Sequence, residues 1–253
     1  MSYQNPYDFA LAVSRGLVAG HSYVLKYGYN ADIDSGTDED VIEQGGDCAF
    51  PTSAESLEII SDSGSDVAAG TGARTVTVQG IDNSYAYQSQ TVTVTGTLAA
   101  AISGTWRRVY RAFVATAGNT NSNVGTLTIR VSGGGATRLI ISPTKSQTNF
   151  ACWTVPINTK AYITQFHSAI NGGSPSGVTV DIQLWVQDAI NVGTGVRKQK
   201  ENIGLVSTGT TAKTRPFNPY LEVVGPADIW LRADVDTSNT FISGSFDLYL
   251  VDD

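Results

Sequence analysis

Few residues of this chain have the type and spacing that catalysis requires. The two histidines, His21 and His167, lie far apart, and neither belongs to a recognisable Ser-His-Asp or Cys-His arrangement. Residues 70–75 (GTGART) lack the Gly-Lys-Ser/Thr ending of a phosphate-binding loop, so they indicate a turn that leads into a strand. We therefore expect no catalytic residue, no cofactor and no enzymatic activity.

An acidic run offers the best candidate metal ligands. Asp32, Asp34, Asp38 and Asp40 alternate around Gly36, and calcium prefers several oxygen ligands of this kind. The spacing departs from that of an EF-hand loop, so the pattern favours a solvated turn or a contact with basic residues of a neighbour. We predict no metal site here, and calcium remains the alternative.

The tryptophans and the clustered basic residues each allow two interpretations. Each tryptophan lies in a strand-like run, which favours core packing over sugar binding: Trp106, Trp153, Trp185 and Trp230. In a strand, Arg107 and Arg111 share one face and Arg108 points to the other. We expect these three arginines, and the basic residues at 197–200, to lie on a solvated face, and a subunit contact is the alternative.

Composition indicates a rigid protein with a polar, weakly charged surface. Charged residues make up 15% of the 253-residue chain, against about 25% in an ordinary soluble domain, and the net charge is −7. The acidic balance argues against broad nucleic-acid binding, which depends on lysine and arginine. A surface with few charges suits large subunit contacts, because few charges must be desolvated on assembly.

The only cysteines and the N-terminal sequence suggest a cytoplasmic protein. Cys48 and Cys152 lie far apart without metal-type spacing, so we expect two reduced thiols, with one disulfide as the alternative. The N-terminus has no basic region, and residues 9–25 contain Arg15 and His21. We expect neither a signal peptide nor a membrane contact, and synthesis in a cytoplasm.

Short alternating runs dominate the chain and predict an all-β fold. Residues 75–80 (TVTVQG) and 88–94 (QSQTVTV) alternate with period two and predict a hairpin around the turn at residues 81–84. Similar runs recur up to residue 251, with almost no helical periodicity. We predict two β-sandwich or jelly-roll-like domains, residues 51–135 and 136–253, divided at the glycines of residues 133–135.

Residues 1–50 predict an extended N-terminal arm that precedes the two domains. Glycines interrupt any long helix there, and aromatic residues are scattered along the segment. Such arms often clasp a neighbouring subunit. The residues that we expect to contact a partner are Tyr3, Tyr7, Phe9, Tyr23 and Tyr27.

Most of the chain resembles a family of proteins common in the structural gene regions of tailed phages. The segments that carry the resemblance are residues 26–34 (KYGYNADID), 50–51 (FP), 57–62 (LEIISD), 69–76 (AGTGARTV), 114–118 (VATAG), 129–135 (IRVSGGG), 154–156 (TVP) and 161–164 (AYIT). The resemblance implies an oligomeric virion protein and carries no catalytic residues.

The function that we predict is that of a non-enzymatic structural component of a tailed-phage virion. The favoured role is a capsid-associated decoration or cement protein, which stabilises the shell through contacts with the major capsid protein or other virion proteins. The alternatives are a tail, neck, baseplate or fibre adaptor, and a glycan- or receptor-binding module. We also predict self-association, with a homotrimer as the favoured state.

Overall fold

The chain folds almost entirely into antiparallel β-structure. The computed structural model describes residues 8–172, 177–190, 195–209 and 211–253. The described residues include one short helix, α1 (Phe9–Ser14), which is capped by Asp8, whose side chain accepts a hydrogen bond from the Ala10 amide. The strands are β1 (His21–Ile33), β2 (Glu39–Asp40), β3 (Glu55–Ser61), β4 (Ala73–Ile81), β5 (Tyr87–Thr93), β6 (Ala100–Trp106), β7 (Arg108–Ala117), β8 (Leu127–Val131), β9 (Thr137–Ile141), β10 (Cys152–Val155), β11 (Thr159–Gly172), β12 (Thr179–Asp188), β13 (Lys198–Val206), β14 (Ala212–Val224), β15 (Ala227–Val235) and β16 (Thr240–Asp252). In the described part of the chain, no helix is long and apolar enough to cross a membrane.

Eight of the strands form a jelly roll. One sheet has the order β1-β16-β11-β14, and the other has the order β10-β15-β12-β13, with β2 added beside β15. If these eight strands are counted in chain order, the first sheet contains strands one, eight, three and six, and the second contains two, seven, four and five. This double Greek-key order defines a jelly roll. The two sheets pack closely, since a Cβ atom at Gly244 of β16 would lie 2.7 Å from Leu231 of β15.

The other strands form a second, smaller sandwich. Its sheets have the orders β6-β3-β8-β9 and β5-β4-β7. The predicted hairpin is confirmed, because β4 and β5 pair antiparallel from Thr75 opposite Thr93 to Ile81 opposite Tyr87. All of these strands lie between β1 and β10, so the small sandwich is inserted between the first two strands of the jelly roll.

The pairings place two segments differently from the sequence-based expectation. The range predicted as an arm contains β1, which pairs with β16 from His21 to Ile33 and is an integral strand of the jelly roll. The range predicted for the second domain contains β9, which pairs with β8 of the inserted sandwich. The all-β fold with sandwich domains is confirmed. Alternation identifies a strand but not its partner, which is why the sequence does not reveal the insertion.

Alternating burial explains why these runs fold as strands. In β4, Val76, Val78 and Ile81 are fully buried, whereas Thr75, Thr77 and Gln79 are partly exposed. Each such strand therefore presents one apolar face to the core. The largest buried side chains, Trp106, Trp230, Tyr110, Phe166 and Phe246, belong to both sandwiches and to one continuous hydrophobic core.

A buried ion pair joins the inserted sandwich to the jelly roll. Arg108 of β7 contacts Asp228 of β15 through two hydrogen bonds of 3.1 and 3.0 Å, and both side chains are almost fully buried. Thr154 and Gln187 donate further hydrogen bonds to the Asp228 carboxylate. The expectation of a solvated face is therefore wrong for Arg108.

A disulfide closes the base of the insertion. Cys48, which precedes the inserted sandwich, is bonded to Cys152 at the start of β10. The expectation of reduced thiols is wrong. The sequence offers no signal for this bond, because 104 residues separate the cysteines and only the fold brings them together.

Candidate interaction surface

The outer face of the β1-β16-β11-β14 sheet carries exposed aromatic and aliphatic side chains. Along β1, Tyr23, Leu25 and Tyr27 are exposed, whereas Lys26 and the other inward residues lie against the core. Alternation along the strand causes this division. A contiguous exposed patch of large apolar side chains often marks an interaction site, whereas single exposed residues do not.

Strand register extends this surface across the sheet. Tyr23 lies opposite Tyr249 of β16, which lies opposite Tyr162 of β11. The ring centroids of Tyr23 and Tyr249 are 5.9 Å apart, and those of Tyr220 and Tyr249 are 6.2 Å apart. We call these four tyrosines, with Leu25 and Tyr27, the tyrosine face.

Helix α1 lies over one end of the tyrosine face. The Phe9 ring makes edge contacts with Tyr249 at 5.6 Å and with His21 at 5.9 Å. Phe9 and Leu11 are nevertheless each 48% exposed. Between α1 and the sheet lies a groove of about 470 Å³, lined by Ala10, Leu11, Ser14, Tyr23, Thr164, Gln165, Asp247 and Tyr249.

The polar groups beneath the tyrosines keep their hydroxyls protonated. Asp247 is 7% exposed and accepts a hydrogen bond from the Gln165 amide, and its Oδ1 has no hydrogen-bond partner among the described residues. Burial, together with the nearby Asp247 carboxylate, raises the pKa of Tyr23 to about 12. The hydroxyl of Tyr162 donates to Glu222 at 2.8 Å, and this bond raises the pKa of Tyr162. Neutral phenols suit non-covalent recognition, in which the ring packs and the hydroxyl forms a hydrogen bond.

The structure brings together three of the five residues predicted to contact a partner. Phe9, Tyr23 and Tyr27 are 48%, 44% and 44% exposed, and all three lie on the outer side of the same sheet. Tyr3 and Tyr7 lie outside the described residues. Whether any of the five binds a partner stays a prediction.

Sequence reasoning missed the other half of the tyrosine face. Tyr162, Tyr220 and Tyr249 lie more than 130 residues beyond Tyr27, and only the strand order and pairing place them in the same sheet as β1. The alternating pattern at the end of the chain could have shown that Tyr249 and Asp247 share a face. It could not have shown which strand lies next to them.

The tryptophans pack in the core, as their strand-like sequence context predicts. Trp106, Trp153 and Trp230 are 1%, 8% and 1% exposed. Trp185 is partly buried and stacks on Trp230, with ring centroids 6.2 Å apart. None of the four forms an exposed aromatic platform.

The acidic run does not gather into a metal site. Among residues 8–172, 177–190, 195–209 and 211–253, no group of three or more His, Cys, Asp or Glu side chains is placed to hold a metal ion. Asp40 is buried, which raises its pKa to about 7, and Arg232 lies 3.7 Å from its Oδ1. Arg232 also contacts Asp38 and Asp47, so the acidic turn is tied to the chain's own β15.

The topology therefore defines an eight-stranded jelly roll with an inserted β-sandwich and an exposed aromatic surface. Jelly rolls occur in viral capsid subunits, in lectins and in cupins. The fold thus allows both a structural and a binding role.

Comparisons with known proteins add no family. No protein-family model matches the chain, and no curated protein matches it. Among solved structures, a chain in the structure of infectious bursal disease virus, Gt strain, is 10% identical to this chain with a TM-score of 0.25. The match covers 91% of this chain and 72% of the viral chain. The Gx strain is also 10% identical with a TM-score of 0.27, over the same shares of the two chains, 91% and 72%. The VP2 subviral particle of the same virus is 9% identical, with a TM-score of 0.26, over 91% of this chain and 72% of that chain.

Proposed function

We propose that this protein is a non-enzymatic structural subunit of a tailed-phage virion, most simply a decoration or cement protein of the capsid. The observation that carries the proposal is the tyrosine face, a partly exposed aromatic surface on a four-stranded sheet. Tyrosine and phenylalanine are enriched in protein interfaces, since each buries a large area at a small cost in side-chain entropy. The resemblance of the sequence to structural proteins of tailed phages supports the same role.

The electrostatics of the tyrosine face favour contact with a copy of the same chain or another virion protein. Two of its charged neighbours already have partners, because Glu222 accepts a hydrogen bond from the Tyr162 hydroxyl and Lys160 forms an ion pair with Asp253 at 2.7 Å. The Asp247 Oδ1 has no hydrogen-bond partner among the described residues, so a donor on the partner would satisfy it. A cyclic homotrimer would place this surface between subunits, with many weak contacts repeated by symmetry.

The double variant Tyr23→Ser/Tyr249→Ser tests the tyrosine face as a contact. We expect the wild-type chain to sediment as a trimer at micromolar concentration and the double variant to sediment as a monomer with unchanged circular dichroism. Leu98→Ser is the matched control, because Leu98 is 71% exposed and lies in the inserted sandwich. A wild-type chain that sediments as a monomer, or a double variant that stays trimeric, would contradict the proposed contact.

The position in the particle needs a second measurement. A reconstruction of the particle that contains this chain would place a cement protein over the capsid lattice. Density confined to the neck, tail or fibres would instead favour the adaptor role.

A glycan- or receptor-binding module is the second candidate, and the groove beside α1 favours it. Tyrosine rings next to the Gln165 amide and the Asp247 carboxylate combine an aromatic surface with hydrogen-bonding groups. Saturable binding of a surface glycan of the host, abolished by Tyr23→Ser/Tyr249→Ser, would support this candidate over the first.

A further inference from the structure

A second surface lies at one lateral edge of the jelly roll. β1 and β10 are the end strands of the two sheets on the same side of the sandwich. Each therefore has one edge that no strand of its own sheet covers. An uncovered strand edge can pair with an extended segment of another chain.

The hydrogen bonds of β1 show which backbone groups face this edge. The Tyr27 carbonyl accepts a hydrogen bond from the Phe150 amide at 2.9 Å, outside the β1-β16 pairing. In an antiparallel strand, alternate residues direct both backbone groups to the same side. The amides and carbonyls of Tyr23 and Leu25 must therefore face the same edge as Tyr27. Within the described ranges, neither residue forms a backbone hydrogen bond in that direction.

An apolar groove lies directly beside these groups. Its volume is about 540 Å³, and it separates the start of β1 from the end of β10. Val24, Leu250 and Trp153 line it from the jelly roll, and Tyr87 lines it from the tip of the inserted hairpin. Ile157, which is 40% exposed, completes the apolar lining. We call this cavity the edge groove.

The combination of free edge and groove matches what strand addition requires. A strand added to β1 gains affinity from main-chain hydrogen bonds, and its alternate side chains gain specificity from an adjoining pocket. Side chains of an added strand would point alternately to the tyrosine face and towards the edge groove.

One carboxylate sets the charge of the expected partner. Asp252 is exposed and lines the edge groove, and its side chain forms no ion pair within the described part of the chain. Among the described residues that line the groove, none is basic. A lysine or arginine at one end of the added segment would therefore find an opposite charge.

We propose that the edge groove binds an extended segment of another polypeptide, which adds as a strand to β1 at Tyr23 and Leu25. Alternate apolar side chains of that segment enter the groove, and a basic residue lies beside Asp252. This activity goes beyond the role in the particle, because it depends on the backbone edge of β1 and on the edge groove, neither of which the proposed subunit contact uses.

A synthetic peptide with alternating valine and threonine residues and one terminal lysine is the probe. We expect saturable binding by fluorescence anisotropy and slower hydrogen exchange at the Tyr23 and Leu25 amides. Leu25→Pro removes one edge amide without removing a bond to β16, and proline is tolerated on edge strands. It should weaken binding at least tenfold, whereas the matched variant Leu25→Thr, which keeps the amide, should bind within threefold of wild type.

Two further variants test the groove and its charge. Ile157→Asp should weaken binding at least tenfold, and Asp252→Asn should weaken binding of the lysine peptide but not of a peptide with glutamine in its place. Asp34→Asn, at an exposed aspartate outside the groove, is the control. Absence of saturable binding up to about 1 mM, or equal binding by Leu25→Pro, would overturn the proposal. Tyr220→Ser/Tyr249→Ser removes two rings of the tyrosine face that lie on β14 and β16 and leaves β1 unchanged, so peptide binding by this variant separates failure of the edge groove from failure of the tyrosine face.

Discussion

Asp66 shows how one buried carboxylate organises the loops of the inserted sandwich. Its two oxygens accept hydrogen bonds from the Ser61 hydroxyl and from the amides of Ala73, Val124 and Gly125, at 2.7 to 2.9 Å. These donors come from three separate segments of the chain. A carboxylate with four donors is an acceptor that an amide side chain cannot replace.

We therefore expect Asp66→Asn to destabilise the protein by about 3 kcal/mol, because the new amide group would face donors and leave some of them unsatisfied. Urea unfolding of the variant and of the wild type measures the difference. Asp32→Asn, at an exposed aspartate, should change the free energy of unfolding by less than about 0.5 kcal/mol. Equal stability of Asp66→Asn and wild type would contradict the assigned role.

Lys26 gives the protein a characteristic dependence on pH. The side chain is buried, its Nζ donates to the Tyr110 carbonyl at 2.6 Å, and it lies over the rings of Tyr110 and Trp153. Burial, and to a lesser degree repulsion by Arg111, lowers the pKa of Lys26 to about 7 in the folded protein. The unfolded chain keeps the ordinary lysine pKa of about 10.4 and so binds more protons between those two pH values.

The contribution of Lys26 to stability should therefore rise with pH from about 7 upwards, by about 1 kcal/mol per pH unit, and be constant below pH 7. Lys26→Met should remove this rise and raise stability at pH 7. Urea unfolding from pH 7 to 9 measures the slope, and Lys213→Met, at an exposed lysine, should retain it. A slope that is the same in Lys26→Met and wild type would count against this assignment.

At the scale of elements, Gly28 marks the place where β1 meets both ends of the insertion. A Cβ atom there would lie 2.0 Å from the Val41 carbonyl oxygen and 2.5 Å from the Ala151 amide nitrogen. The Ala151 amide donates a hydrogen bond to the Val41 carbonyl at 3.1 Å, directly over Gly28. Only glycine lets the segments before and after the inserted sandwich pass so close to the strand.

Gly28→Ala should cost at least about 3 kcal/mol, since backbone atoms rather than flexible side chains must move. Gly204→Ala is a matched change in β13, where the nearest atom to the added Cβ is the Asp181 carboxylate oxygen at 3.4 Å. Thermal unfolding should show a large decrease in Tm for the first variant and little change for the second. A similar Tm for the two variants would show that the crossing tolerates a methyl group.

Elements differ in how far the sequence predicts them. The β4-β5 hairpin is predictable because its strands alternate with period two and are joined by a short turn. The partner of β1 is not predictable, because β16 lies about 200 residues further along the chain and any alternating strand could pair with β1. For the same reason, a prediction that starts from Tyr23 does not identify Tyr249 and Tyr162 as members of the tyrosine face.

For the whole molecule, the Cys48–Cys152 disulfide fixes the base of the insertion. The bond closes a loop across 104 residues, and loops of about 100 residues correspond to a stabilisation of about 4 to 5 kcal/mol in the chain-entropy account. Reduction should therefore lower the Tm of the wild type substantially. The double variant Cys48→Ser/Cys152→Ser should unfold at the lower temperature with or without reductant. An oxidised wild type that unfolds at the same temperature as the double variant would show that the bond adds no stability.

The insertion also has a consequence for how the protein is made. The strand β1 leaves the ribosome long before its partner β16, since about 200 residues lie between them. At about 5 to 20 residues per second, this delay is about 10 to 40 s. During that time the inserted sandwich has all of its strands and can fold, whereas the edge of β1 that β16 will cover stays open. A nascent chain of this protein therefore needs protection at its first strand rather than at its middle, and a chaperone that binds the nascent chain should bind residues 21–33.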